Sequence, residues 1–115
     1  MITAKVSYRE NTKRFRLEID GHAGQATHGN DVVCSAVSIL SFTAIQIIQS
    51  MYASGRYFPI EPTTEFVSGN AIIDAKCYGE REYEEMCTAM TFLTAGFALL
   101  QNEPPEYVKF IIDEA

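Results

Sequence analysis

Apolar and polar side chains alternate strictly along the first twenty residues. Ile2, Ala4, Val6 and Tyr8 are interleaved with Thr3, Lys5, Ser7 and Arg9, and Phe15, Leu17 and Ile19 with Arg14, Arg16, Glu18 and Asp20. Successive side chains of a strand point to opposite faces, so each run makes a half-buried strand with one apolar face. The intervening Glu10-Asn11-Thr12-Lys13 reads as a turn, which predicts an antiparallel hairpin. One face of such a hairpin needs a cover, and the rest of the chain must supply it.

Two segments with helical periodicity do so. In the first, Val33, Val37, Leu40, Ala44, Ile47 and Met51 recur at helical spacing, and Ile39, Phe42 and Ile45 widen the apolar surface. That predicts a helix packed on more than one side, capped by Asn30 or Asp31 and ending near Ser54-Gly55. The second, over residues 80–100, carries Tyr83, Met86, Cys87, Met90, Leu93, Phe97 and Leu100 on one face. Its early Glu80, Glu82, Glu84 and Glu85 suit a helix N-terminus, and Pro104-Pro105 stops it. Between the helices, residues 64–68 and 71–78 predict a second hairpin about Gly69-Asn70. Residues 107–112 read as a last strand. The expected class is α+β, order ββαββαβ, with both helices packed on a largely antiparallel sheet. A length of 115 residues suits a single domain over 1–115.

Composition narrows the partners. Hydrophobic residues make up 47% and charged residues 21%, with a net charge of −6. An acidic chain lacks the clustered cations that bind phosphates, so direct nucleic-acid binding is not expected, whereas a basic partner suits it. No apolar stretch is expected to approach the ~20 residues of a membrane span. The N-terminus, Met1-Ile2-Thr3-Ala4-Lys5-Val6, has no signal-peptide pattern. Three cysteines, an odd number without a Cys-x-x-Cys pair, point to reduced thiols in a cytoplasm.

One of those cysteines stands apart. Cys77 alternates in phase with Ala71, Ile73 and Ala75, and Cys87 falls on the core face of the second helix, so both read as small buried hydrophobes. Cys34 lies off the Val33-Val37-Leu40 stripe, beside Ser35 and Ser38. With Asp31 as cap it occupies the third helical position, where unpaired N–H groups and the helix dipole favour a thiolate. Twelve residues earlier stands His22, in a stretch punctuated by Gly21, Gly24 and Gly29 that reads as a mobile loop. A thiol and an imidazole in contact are the minimum machinery for acyl transfer. The same residues allow plainer readings: a structural thiol with a solvent histidine, or a metal held by His22, His28, Asp31 and Cys34. The spacing matches no common zinc pattern, and the glycines fit no phosphate-binding fingerprint.

The run Gly21-His22-Ala23-Gly24, followed by Gly29-Asn30-Asp31-Val32-Val33-Cys34-Ser35-Ala36-Val37-Ser38, resembles the signature of the ribosomal-processing cysteine protease family, Prp. Ser35 departs from it, since Ala is commoner there. The resemblance extends to the order of strands and helices over all 115 residues. It implies a homodimeric cytoplasmic endopeptidase, without metal or other cofactor. The implied substrate is large-subunit ribosomal protein L-twenty-seven, whose short N-terminal extension is removed after a hydrophobic, aromatic-rich sequence. By position, Cys34 is implied to be the nucleophile and His22 the base, while Asp31 and Ser38 match further signature positions. Asp31 is open to two roles, helix cap or orienter of His22. Ser38 is open to two as well, bonding back to the helix or lining the substrate groove. The competing function class is a non-catalytic ribosome-associated binding module that docks through the Gly-rich loop.

Overall fold

The structure, a computed structural model, describes residues 1–21, 28–67, 70–102 and 107–114. β1 (Ile2–Arg9) and β2 (Arg14–Gly21) form the first hairpin. A short 3-10 turn, Glu10–Thr12, joins them and closes on Lys13 in the left-handed region, φ 56°. α1 (His28–Ala53), β3 (Thr63–Val67), β4 (Asn70–Lys76), α2 (Glu80–Gln101) and β5 (Val108–Glu114) follow. The strands build one mixed sheet in the order β3-β4-β2-β1-β5. Pairings are antiparallel except β1 with β5. The parallel pair follows from connectivity: the chain leaves β4, crosses back through α2 and arrives beside β1 running the same way. The predicted order ββαββαβ and the largely antiparallel sheet are both present.

Register follows the apolar alternation. Val6 pairs Leu17 and Leu17 pairs Ile73; Ile2 pairs Val108; Phe15 pairs Ala75. All of these side chains are buried on one face. The other face is charged. Asp74 takes Arg14 and Arg16, each at 2.7 Å, and Arg16 also meets Glu18. Both arginines are partly exposed, while the Asp74 side chain between them is 12% exposed. A slip of one residue would turn the whole apolar set to water, so burial fixes the register.

Both helices cover the apolar face. Val37, Ala44 and Ile48 of α1 and Tyr83, Met86, Met90 and Phe97 of α2 complete the core. A side-chain carbon at Gly96 would lie 2.6 Å from a Leu40 methyl, so the missing Cβ lets the two helices approach closely. α1 departs from expectation in three ways. It begins at His28, a turn before the expected caps, so Asn30 and Asp31 lie inside it. Once a core anchors a helix, adding a residue costs little, and one more turn forms despite Gly29. Ile39 stays exposed rather than meeting a second packed surface, and Phe42, half-exposed, meets the ring of Phe66. The segment Val32–Ala53 carries no charged residue and is apolar and long enough to cross a membrane, by length and composition alone. Its buried residues face the sheet as those of a core helix do.

Candidate active site

Side chains three, four and seven positions apart share a helix face. In α1 this places Cys34, Val37, Ser38 and Ser41 along one cleft. The opposite wall is the end of the sheet: Ile2 opens β1, Ile19 and Gly21 end β2, Phe66 ends β3, and Asn70 and Ala71 open β4. The cleft encloses about 190 Å³. No described lining residue carries a charge, so the surroundings of the thiol are apolar with a few neutral polar groups.

Cys34 is exposed, Cys77 buried and Cys87 half-buried. Burial pushes the Cys77 thiol up to about 12. Its sulfur lies 3.7 Å from that of Met86, deep in the core. The separation of one accessible thiol from two structural ones therefore appears in space as it does in the pattern, although Cys87 is less buried than its position suggests.

The local setting of Cys34 differs from expectation. With α1 starting at His28, Cys34 is the seventh helical residue and sits in the second turn. The unpaired N–H groups of a helix belong to its first turn, here at residues 28–31. The amide of Cys34 is thus inside the helical hydrogen-bond ladder, and the dipole acts on the thiol from a turn further away. Ser38 lines the cleft one turn on, the groove position among its two readings. His22 and Gly24 lie outside the described residues, as do the side chains of His28 and Asp31. The proposed loop motion and the four-ligand metal reading fall there too. Gly29 belongs to α1.

Gly21 is where the sheet delivers the chain to the cleft. It pairs with Ile2 and has φ +106°, in the region that favours glycine. A Cβ there would stand 2.3 Å from the Met1 carbonyl oxygen. The last rung of the hairpin therefore requires glycine, and the next residue in the chain is His22. β1 is held at this end from its other side as well, where the Ile2 N–H donates to the Tyr107 carbonyl at 2.8 Å.

Sequence reasoning did not single out Ser41, Phe66, Asn70 or Ile2. Ser41 had a signal, since it follows Ser38 and Cys34 at helical spacing. It is fully buried and its hydroxyl donates to the Val37 carbonyl at 2.7 Å. Phe66 had none, because its place depends on the hairpin folding back along α1. The Gln49 amide reaches Thr64 at 3.4 Å, and the rings of Phe42 and Phe66 stack with centroids 4.3 Å apart. β3 thus runs back along α1 toward Cys34.

The arrangement offers an accessible thiol at the mouth of an apolar cleft, beside the end of a strand. Among the described residues no group of three His, Cys, Asp or Glu is placed to hold a metal.

The sequence matches the family model of the cysteine protease Prp over residues 1–109. Among curated proteins none matches. Solved structures share the fold. SMU.848 from Streptococcus mutans superposes with a TM-score of 0.69 at 23% identity, over 100% of this chain and 96% of that one. The essential ribosomal processing protease Prp from S. aureus, in complex with a covalently linked product peptide, gives 0.70 at 17% identity, over 98% and 100%. The same S. aureus protease with a substrate peptide gives 0.67 at 15% identity, with the same coverage.

Proposed function

The chain belongs to the cysteine protease Prp family, and on that premise we propose that it removes the N-terminal extension of large-subunit ribosomal protein L-twenty-seven. Cys34 is the nucleophile and His22 the general base. The observation that carries this reading is the placement of the exposed Cys34 on a cleft of about 190 Å³ whose rim includes Gly21, the residue before His22. The S. aureus relative of this fold holds a covalently linked product peptide, which is what an acyl-transfer thiol would leave.

His22 takes the Cys34 proton. The thiolate adds to the scissile carbonyl, the leaving amine is protonated, and water releases the N-terminal fragment from the thioester. The N–H groups of the first α1 turn, over 28–31, are the donors available to stabilise an oxyanion. Asp31 lies in that turn, and the role proposed for it is to orient His22. Ser38 lines the groove.

A homodimer fits the outer faces of the helices. Val32 and Ile39 of α1 and Phe92 and Leu99 of α2 are exposed, Phe92 by 81%. Exposed apolar side chains on both helices are what such an interface would bury. We place the protein in the cytoplasm on its reduced thiols and its ribosomal substrate.

The test is incubation of the full-length precursor with wild-type protein and with Cys34→Ala, followed by intact mass. The expected result is one new N-terminus after the apolar extension with wild type and none with Cys34→Ala. A precursor left whole by wild type, or cut equally by Cys34→Ala, overturns the proposal.

A further inference from the structure

β5 closes one end of the sheet, and among the described residues only β1 pairs with it. An edge strand of seven residues offers its outward N–H and C=O groups to any other strand. The register fixes which groups those are. Ile2 stands beside Val108, and its N–H donates to the Tyr107 carbonyl. A parallel ladder repeats every two residues, so the N–H groups of Lys109, Ile111 and Asp113 turn toward β1 and those of Phe110 and Ile112 turn away. The outward Phe110 N–H is already taken: it donates to the side-chain oxygen of Gln101 at 2.6 Å. Gln101 is half-buried and is the last residue of α2, so a helix holds its amide over the middle of the edge.

The edge is also complementary to itself. Laid antiparallel on a second copy, about a two-fold axis through Ile111, β5 would set Phe110 opposite Ile112 and Lys109 opposite Asp113. Phe110 and Ile112 carry the outward groups, so theirs would be the hydrogen-bonded pairs. On the core face Ile112, 57% exposed, would be covered by Phe110 of the second copy. On the outer face the exposed Lys109 would meet Asp113, which already accepts from Arg9 at 2.7 Å. Opposite charges directly across a strand pair are favourable. We propose that Gln101 guards this edge: by holding the Phe110 N–H it keeps β5 from pairing antiparallel with β5 of a second copy. The Gln101 oxygen occupies the place that a carbonyl of the incoming strand would need. The guard is independent of the protease reading, and association through the helices leaves it in place.

Sedimentation over a concentration series tests this against wild type. Gln101→Ala removes the acceptor and keeps a good helix former. It should associate at least about tenfold more tightly than wild type, the scale of one hydrogen bond that no longer has to be broken. Gln101→Glu keeps an oxygen over the edge and should sediment as wild type. Two second-site changes identify the surface that pairs. Ile112→Pro removes an outward N–H and no bond to β1, and Lys109→Glu sets a like charge against Asp113. Either one, added to Gln101→Ala, should restore the wild-type profile. Gln101→Ala that sediments as wild type overturns the proposal, as does Gln101→Glu that associates as Gln101→Ala does. Association of Gln101→Ala that survives both second-site changes also overturns it, since it would mark loss of fold and not strand pairing.

Discussion

At the scale of single residues, the three thiols differ in burial. Cys34 should be the first to label with iodoacetamide near neutral pH, as peptide mapping would show, and Cys77 should label only on unfolding. Labelling led by Cys77 or Cys87 would contradict this. Cys77 also predicts a pH dependence. Its folded-state value, about 12, lies above the ordinary 9.0 because burial disfavours the thiolate. A group whose value is raised on folding contributes fully below its unfolded value and loses that contribution as pH rises. Urea stability should therefore fall between pH 9 and 12, and burial of Tyr83, also raised, steepens the fall. Cys77→Ala should show a shallower decline over that window. An unchanged slope would mean that the thiol is not desolvated. Cys34 was legible as the odd cysteine because it broke the apolar stripe of its helix. Its place in the second turn was not legible, since Gly29 and Asn30 are poor helix formers and only the anchoring core extends α1 through them.

At the scale of elements, two glycines with positive φ separate backbone strain from site geometry. Gly55 follows α1 with φ +75° and nothing within 4 Å of a would-be Cβ. Gly55→Ala should cost only the conformational term, about 1 kcal/mol, and leave peptide cleavage intact. Gly21→Ala adds a collision with the Met1 carbonyl to the strain and forces the last β1–β2 rung apart. It should cost more, beyond the ~1–3 kcal/mol of an unfavourable backbone conformation. It should also depress kcat/KM at temperatures where the protein is still folded. Equal thermal shifts in the two variants, with equal activity, would refute a special role for Gly21. Strand and helix order was readable because alternation and helical spacing are local. The neighbour of β5 was not, because Val108 and Phe110 would satisfy a place beside any inner strand. The Phe42–Phe66 stack was equally hidden, since it exists only once β3 lies along α1.

At the scale of the whole molecule, the uncharged segment Val32–Ala53 of α1 and the charged outer face of the sheet make the surface two-sided. Arg14, Arg16, Glu18 and Asp74 keep the outer sheet face wet, and Val32, Ile39, Phe92 and Leu99 leave apolar surface in water on the helices. Self-association should use the helices and spare the sheet. Phe92→Glu should shift sedimentation toward a monomer, and Lys5→Glu on the sheet should not. The reverse pattern would place the interface on the sheet. The net charge of −6 should speed encounter with a basic ribosomal protein at low salt. Screening beyond about 8–10 Å leaves discrimination at physiological ionic strength to the apolar cleft. Replacing apolar residues before the cut by Ala should lower kcat/KM nearly independently of salt. Removing the basic residues after it should matter mainly when salt is low. A larger loss from the basic residues at moderate ionic strength would mean that the enzyme reads charge.

The central claim is that one thiol and one imidazole, Cys34 and His22, carry the cleavage. It is tested most directly by kcat/KM on a peptide spanning the extension and its junction, for wild type, Cys34→Ala, Cys77→Ala, Cys87→Ala, His22→Ala and His28→Ala. Folding of each variant is checked by circular dichroism. Cys34→Ala and His22→Ala should fall at least about a thousandfold, the scale of losing a nucleophile or its base. The other three should stay within about tenfold of wild type. An active Cys34→Ala, or a dead His28→Ala beside an active His22→Ala, would contradict the account.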